Sequence, residues 1–413
     1  MQLLFTILFF LFVGSPLFAL TLQEATEALH KNNTTLAISH QYINKANQKY
    51  EQKNAQLYGS FDAISSITKY NEKRTLAPLA PPISPNVATS DTLSSIGISY
   101  GVTLFSGFKD SSQIELSSLA TQIEQTKHTL TKSQLEFTLQ SLFCDIGSLQ
   151  KNLLASKEYQ KALQKIYDFT KYEYDLGKKS QLELLKIEAD LEESQSILIE
   201  VKTKIDILKY ALSVLVYGEK KDFEIEDLEE RNLIIELNLE NLPKIKLANL
   251  GAKSKEKSLQ STNSIYYPRV IFNTSYNDIY GAGEKENITT ASFNLSWKLY
   301  DFGARESQVQ EAKIEQIEAK LELQKTKEEI LQSIYEAQKN IEKNEQLFKS
   351  ATTNLKVAQK TKEIEEVLYK EGQKDISDYL LSMAKFAQNE AKLITTHSAL
   401  LKSKYYLHSI IKE

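Results

Sequence analysis

A mainly α chain with a minor β component is expected here: long antiparallel helical hairpins in coiled-coil packing, four membrane-crossing β-strands, and an internal duplication of the whole pattern. Three features of the 413 residues carry that expectation. Helix breakers are scarce, with 13 Gly and 7 Pro in the chain and neither residue in the 68 positions between Gly303 and Gly372. Four segments alternate large apolar with small or polar residues, the period of a strand with two different faces. A set of landmarks also recurs at a fixed spacing along the chain.

Composition narrows the function first. The 50 Lys+Arg against 54 Asp+Glu leave a net charge of −4, so there is no basic surplus to neutralise phosphates and no nucleic-acid partner is expected. The single cysteine, Cys144, excludes an intramolecular disulfide framework, and the 5 histidines are scattered, so neither a metal centre nor another cofactor is expected. No His–carboxylate–nucleophile set and no phosphate-binding glycine loop is present, which argues against an enzyme. At 41% apolar, the chain is lean for one large compact core.

Residues 1–19 form an apolar run broken by Gly14-Ser15-Pro16 and ending in the small Ala19. That pattern predicts a secretory signal cleaved after Ala19, although the segment lacks the usual Lys or Arg; a retained anchor is the alternative reading. No later run reaches the 18 or so apolar residues of a spanning helix.

The duplication is read from spacing. Leu104-Phe105-Ser106 aligns with Leu299-Tyr300-Asp301, 195 residues on, and Tyr174-x-x-Gly177 aligns with Tyr369-x-x-Gly372 at the same 195. Glu183 then falls on Asp378 and Leu185 on Leu380. Upstream, Tyr58 matches Tyr267 at a spacing of 209, and the 14-residue difference fits the longer, proline-rich connection Ala77–Pro85. The first repeat therefore spans 20–217, with strands at 58–70 and 93–105 and a helical hairpin whose tip lies near 174–179. Residues 218–246 form a linker region with an acidic Glu224–Glu230 stretch and Pro243. The second repeat spans 247–413, with strands at 267–280 and 288–300 and a tip near 369–374.

In the strands, Ile96, Ile98, Tyr100, Val102 and Leu104 alternate with Ser95, Gly97, Ser99, Gly101 and Thr103. Phe293, Leu295, Trp297 and Leu299 alternate with Ser292, Asn294, Ser296 and Lys298. A half-buried soluble hairpin would alternate too. Strand length, the aromatics Tyr58, Tyr70, Phe105, Tyr267, Tyr280 and Tyr300, and the small hydrophilic opposite face favour lipid on one side and water on the other. Four strands are too few for a closed membrane barrel, which needs about eight, and open edges are intolerable in lipid. Several chains must therefore share one barrel.

The breaker-free helix would extend about 100 Å at 1.5 Å per residue. Ile330, Ile334, Ala337, Ile341, Phe348, Ala351, Leu355 and Ala358 follow an average step of about 3.5 with one position skipped, a coiled-coil seam. The two Tyr-x-x-Gly corners mark where each hairpin turns back, through a glycine suited to the left-handed conformation that stops a helix.

Leu20-Thr-Leu-Gln-Glu-Ala25 followed by Asn32-Asn33, the duplicated strand-pair-plus-hairpin and the two Tyr-x-x-Gly corners together resemble the TolC-type outer-membrane efflux protein family. The resemblance covers nearly the whole chain after the signal. It implies a homotrimer in which each chain gives four strands to a 12-stranded barrel in outer-membrane lipid, with helices extending into the periplasm. It also implies docking to a periplasmic adaptor (membrane fusion) protein and an inner-membrane pump, and a passive role in efflux or type I secretion.

By the same resemblance, Tyr369 and Lys374 match a tyrosine and a basic residue that tether the inner hairpin, and Glu183 matches their carboxylate partner. Asp378 matches a carboxylate that rings the pore, while Leu381 and Leu182 depart from the family pattern. Leu176, Gly177 and Lys178, with Glu371, Gly372 and Gln373, match the adaptor-docking tips. The competing reading is a soluble periplasmic coiled-coil adaptor of the membrane-fusion type. Such adaptors carry one hairpin between glycine-rich β halves, whereas this sequence carries two hairpins and few glycines.

Overall fold

The computed structural model describes residues 19–83, 86–226 and 239–411. Residues 1–18 of the expected signal segment and the middle of the 218–246 linker lie outside the described residues. In chain order the elements are β1 (Ala19–Leu20), α1 (Leu22–Asn32), α2 (Thr34–Ala55), β2 (Ser60–Thr75), β3 (Thr89–Phe105), α3 (Lys109–Asp175) and α4 (Gln181–Tyr217). They continue with β4 (Glu224–Ile225), α5 (Pro243–Thr262), β5 (Arg269–Gly281), β6 (Glu284–Ser296), α6 (Ala304–Lys370) and α7 (Ile376–Ile411). The chain divides into two compact units, one of residues 38–130 and 239–329, the other of the remaining segments, with α2, α3 and α6 contributing to both. No described helix is long and apolar enough to cross a membrane.

The first unit holds a four-stranded antiparallel sheet in the order β2-β3-β5-β6. Register confirms the alternation. Phe61 lies beside Tyr100, which lies beside Thr274, which lies beside Ala291; Val102, Phe272 and Phe293 form the next row, and Val270 and Leu295 the one after. The rings of Phe61 and Tyr100 stand 4.6 Å apart and those of Phe272 and Phe293 4.9 Å apart. This face is bare in the single chain: Phe61 is 81% exposed, Phe293 72% and Leu295 68%.

The other face is a lattice of hydroxyls and amides. Ser66 and Ser95 share a hydrogen bond of 2.8 Å, Ser275 and Thr290 one of 2.9 Å, and Asn277 donates to Ser275 Oγ at 3.1 Å. Gly97 lies opposite Asn277, and a Cβ there would collide with the Asn277 side chain and the Tyr276 carbonyl. The glycine is thus required by close approach, not by flexibility.

The strand ends differ from the sequence expectation at several places: β3 starts at Thr89 and β6 at Glu284, each four residues early, and β2 and β5 each start two residues late. β2 runs on to Thr75 through a register shift between Lys69 and Arg74. β6 stops at Ser296 although the alternation continues to Leu299. Arg305 donates to the Lys298 carbonyl at 2.8 Å and the Leu299 carbonyl at 3.0 Å while pairing with Asp301 at 3.2 Å. The residue that would continue the pairing opposite Trp297 is Pro268, which has no N–H to donate, and Arg305 fastens the segment beyond.

In the second unit, the motif near the start of the described chain acquires physical content. Thr21 and Glu24 form a reciprocal capping box at α1. Asn33 accepts from the backbone of Thr35 (2.9 Å) and Leu36 (3.2 Å) at the start of α2, and donates to the Leu215 carbonyl of α4 at 2.9 Å. Leu20, Ala25 and Leu29 then pack with Leu139, Phe143 and Ile146 of α3 and Ile205, Leu212 and Val216 of α4.

The α6 seam is observed as read from the sequence. Ile330, Ile334, Ala337, Ala351 and Ala358 are buried, and Ile341, Phe348 and Leu355 are half-buried. The skipped step is Asn344, whose side chain donates to the Ala399 carbonyl of α7 at 3.3 Å. A polar seam residue of this kind costs stability and fixes register.

Candidate functional site

Each corner is closed by main-chain bonds. The Gly177 N–H donates to the Tyr174 carbonyl at 2.8 Å and the Lys178 N–H to the Glu173 carbonyl at 2.9 Å. Gly372 and Gln373 repeat the pattern on Tyr369 (3.0 Å) and Leu368 (2.9 Å). This is the Schellman arrangement, and it explains the Tyr-x-x-Gly spacing: the residue three before the glycine supplies the accepting carbonyl. Gly177 and Gly372 both sit at φ 73°, where any side chain would be strained. Leu176, Lys178, Glu371 and Gln373 are exposed around these turns.

Beside the corners, the tips of both hairpins share an apolar cluster of Leu163 (α3), Ile187 (α4), Ile376 and Leu380 (α7), with Tyr369 packed against it. The Tyr369 ring stacks on Tyr379 with centroids 5.6 Å apart and planes 15° from parallel. Its hydroxyl is buried, as is Thr170 Oγ1, and neither makes an aligned hydrogen bond. Burial raises the Tyr369 pKa, with Lys179 and Thr170 pulling the other way.

The charged residues form two clasps. Lys179 pairs with Glu183 at 3.3 Å and stands 5.5 Å over the Tyr369 ring. Lys374 pairs with Asp378 at 3.3 Å and Glu365 at 3.7 Å. Burial alone would lower the Lys179 pKa, but the Glu183 hydrogen bond and the surrounding negative groups raise it overall. Lys374 is raised chiefly by its hydrogen bond to Asp378. Both ammonium groups therefore stay charged at neutral pH.

The structure thus brings Lys374 to Asp378 and brings Glu183 toward Tyr369 through Lys179. Within one chain it does not bring Glu183 to Lys374. Lys179 was not singled out from the sequence, yet the 195-residue spacing places it on Lys374 just as it places Glu183 on Asp378. Carrying the repeat two residues past the glycines would have found it.

The model of the outer membrane efflux protein family matches residues 25–216 and 234–411. The chain belongs to that family. It is an outer-membrane efflux duct, and the reading as a soluble adaptor finds no support. Among solved structures, the CmeC outer membrane channel of Campylobacter jejuni shares 16% identity at a TM-score of 0.81, over 94% of this chain and 85% of that one. The outer membrane protein VceC of Vibrio cholerae shares 13% at 0.78, over 94% and 95%. The MtrE outer membrane channel of Neisseria gonorrhoeae, in its open state, shares 12% at 0.80, over 94% and 88%. At such identities the likeness is one of fold. No curated protein sequence matches the chain.

Proposed function

We propose that three copies of this chain close one β-barrel of twelve strands in the outer membrane, docked in the periplasm to an adaptor protein and through it to an inner-membrane pump, as a passive conduit with no chemistry of its own. The observation that supports this is the sheet: four strands, two open edges, one bare apolar face and one face of serines, asparagines and threonines. An edge in hydrocarbon leaves unpaired N–H and C=O groups at several kcal/mol each, so β6 of one copy must pair with β2 of the next. The expected mass of the detergent-solubilised assembly is that of three chains, read by light scattering. Cysteine pairs placed along β2 and β6 should cross-link only between copies. A single-chain mass in plain buffer would overturn the proposal.

In this reading the tips are the periplasmic gate. Tyr369, Glu183 and Lys374 hold it closed, Asp378 faces the pore, and Leu176, Gly177, Lys178, Glu371, Gly372 and Gln373 meet the adaptor. Charge-assisted contacts at a thin, solvent-exposed tip are individually weak, so a docked partner can replace them. The double variant Tyr369→Phe with Glu183→Gln should conduct more per channel than wild type in planar bilayers; equal conductance removes the assignment.

A further inference from the structure

We infer that Lys179 is the latch between the two hairpin tips: its ammonium, held by Glu183, caps the face of Tyr369, so that Glu183 acts on Tyr369 through Lys179 and not by a direct bond. The inference rests on the duct reading and refines its gate. Lys179 follows the first corner, whereas Tyr369 precedes the second, so the contact joins two hairpins that are otherwise far apart in sequence. The Lys179 ammonium lies 3.3 Å from Glu183 Oε2 and 5.5 Å from the Tyr369 ring centre. A cation over a tyrosine face is attracted by the ring quadrupole, and more so where solvent is partly excluded.

The other partners of Tyr369 do not explain its position alone. Its buried hydroxyl lies beside Thr170, its ring packs on the apolar cluster and stacks on Tyr379, and Lys179 stands over the ring as its one cationic contact from the first corner. The duplication supplies an internal comparison. Lys374, the repeat equivalent of Lys179, makes the same clasp with Asp378 at 3.3 Å, but its further neighbour is Glu365 at 3.7 Å. The equivalent lysine–carboxylate pairs thus serve as a link between hairpins in the first repeat and a local charge pair in the second. In the second, Lys374 also offsets the carboxylate assigned to the pore.

Removing Lys179 leaves the tip folded, because the cluster of Leu163, Ile187, Ile376 and Leu380 persists and Lys186 still donates to Ser377 Oγ at 3.4 Å. Single-channel recording of the purified full chain in planar bilayers is the test. Lys179→Met should raise the open-to-closed ratio about three- to tenfold, the range a partly desolvated cation–π and ion pair commands. Lys179→Arg, which keeps a cation over the ring, should behave as wild type. Tyr369→Leu should open the channel as Lys179→Met does, and the double variant should open it no further than either single one. Wild-type gating in Lys179→Met, opening by Lys179→Arg as large as by Lys179→Met, or simple additivity in the double variant would each overturn the latch. A wild-type chain that forms no channel would overturn the duct reading, and the latch with it.

Discussion

The Cys144 thiol packs among Leu401, Tyr405 and Phe137, where burial first and the Asp145 carboxylate second push its pKa up to about 12. The thiol is the nucleophile only as thiolate, so Cys144 should resist iodoacetamide at pH 8 in the native protein and react fully after denaturation, as read by mass spectrometry. The sign for stability follows from the raised value. The neutral thiol contributes its full share below about 9 and loses it as pH climbs toward about 12. Residues of this kind were legible in part: a lone cysteine excluded a disulfide, but its packing partners Leu401 and Tyr405 come from a segment far along the chain. Lys179 was not legible from its own neighbourhood. Only the 195-residue repeat marks this one lysine among 50 Lys+Arg, and its partner Tyr369 arrives only when two distant hairpins meet.

At the scale of the element, backbone geometry sets the corners. Gly177→Ala forces a Cβ onto a φ of 73° with nothing near it to clash, so the cost is conformational, about 1 kcal/mol. The expected readout is faster hydrogen exchange confined to the amides around the first corner. The α6 seam makes the opposite forecast. Asn344→Leu exchanges a register-fixing amide for apolar packing, and should raise the apparent Tm by roughly 2–4 °C in circular dichroism. Helices and seam were readable because their period is a local property. The end of β6 was not, because it depends on the partner strand, whose pairing stops at Arg269 next to Pro268. The far end of β2 was missed because its alternation fades into Asn71, Glu72, Lys73 and Arg74, where the register shifts.

For the whole molecule, the bare sheet face dictates an environment that the single chain does not provide. Phe293→Lys puts a charge on that face and should cost about 2–4 kcal/mol per chain if the residue lies near the bilayer midplane. The expected outcome is loss of heat-resistant oligomer in the outer-membrane fraction, with the variant retained in the periplasm. An equivalent change on the opposite face, Ser292→Lys, should assemble and alter only ion selectivity. The need for several chains could be read from counting strands against the minimum for closure. How many chains meet cannot be read that way, since strand number per chain sets a lower bound on copies and nothing more.

The hairpin corners have one more consequence. Because Gly177 and Gly372 close the turns through the main chain alone, the outward side chains Leu176, Lys178, Glu371 and Gln373 bear none of the structural strain. Those positions can be rewritten without loosening either turn, so under the proposed docking a duct of this design changes its partner by a handful of surface exchanges and keeps its architecture intact.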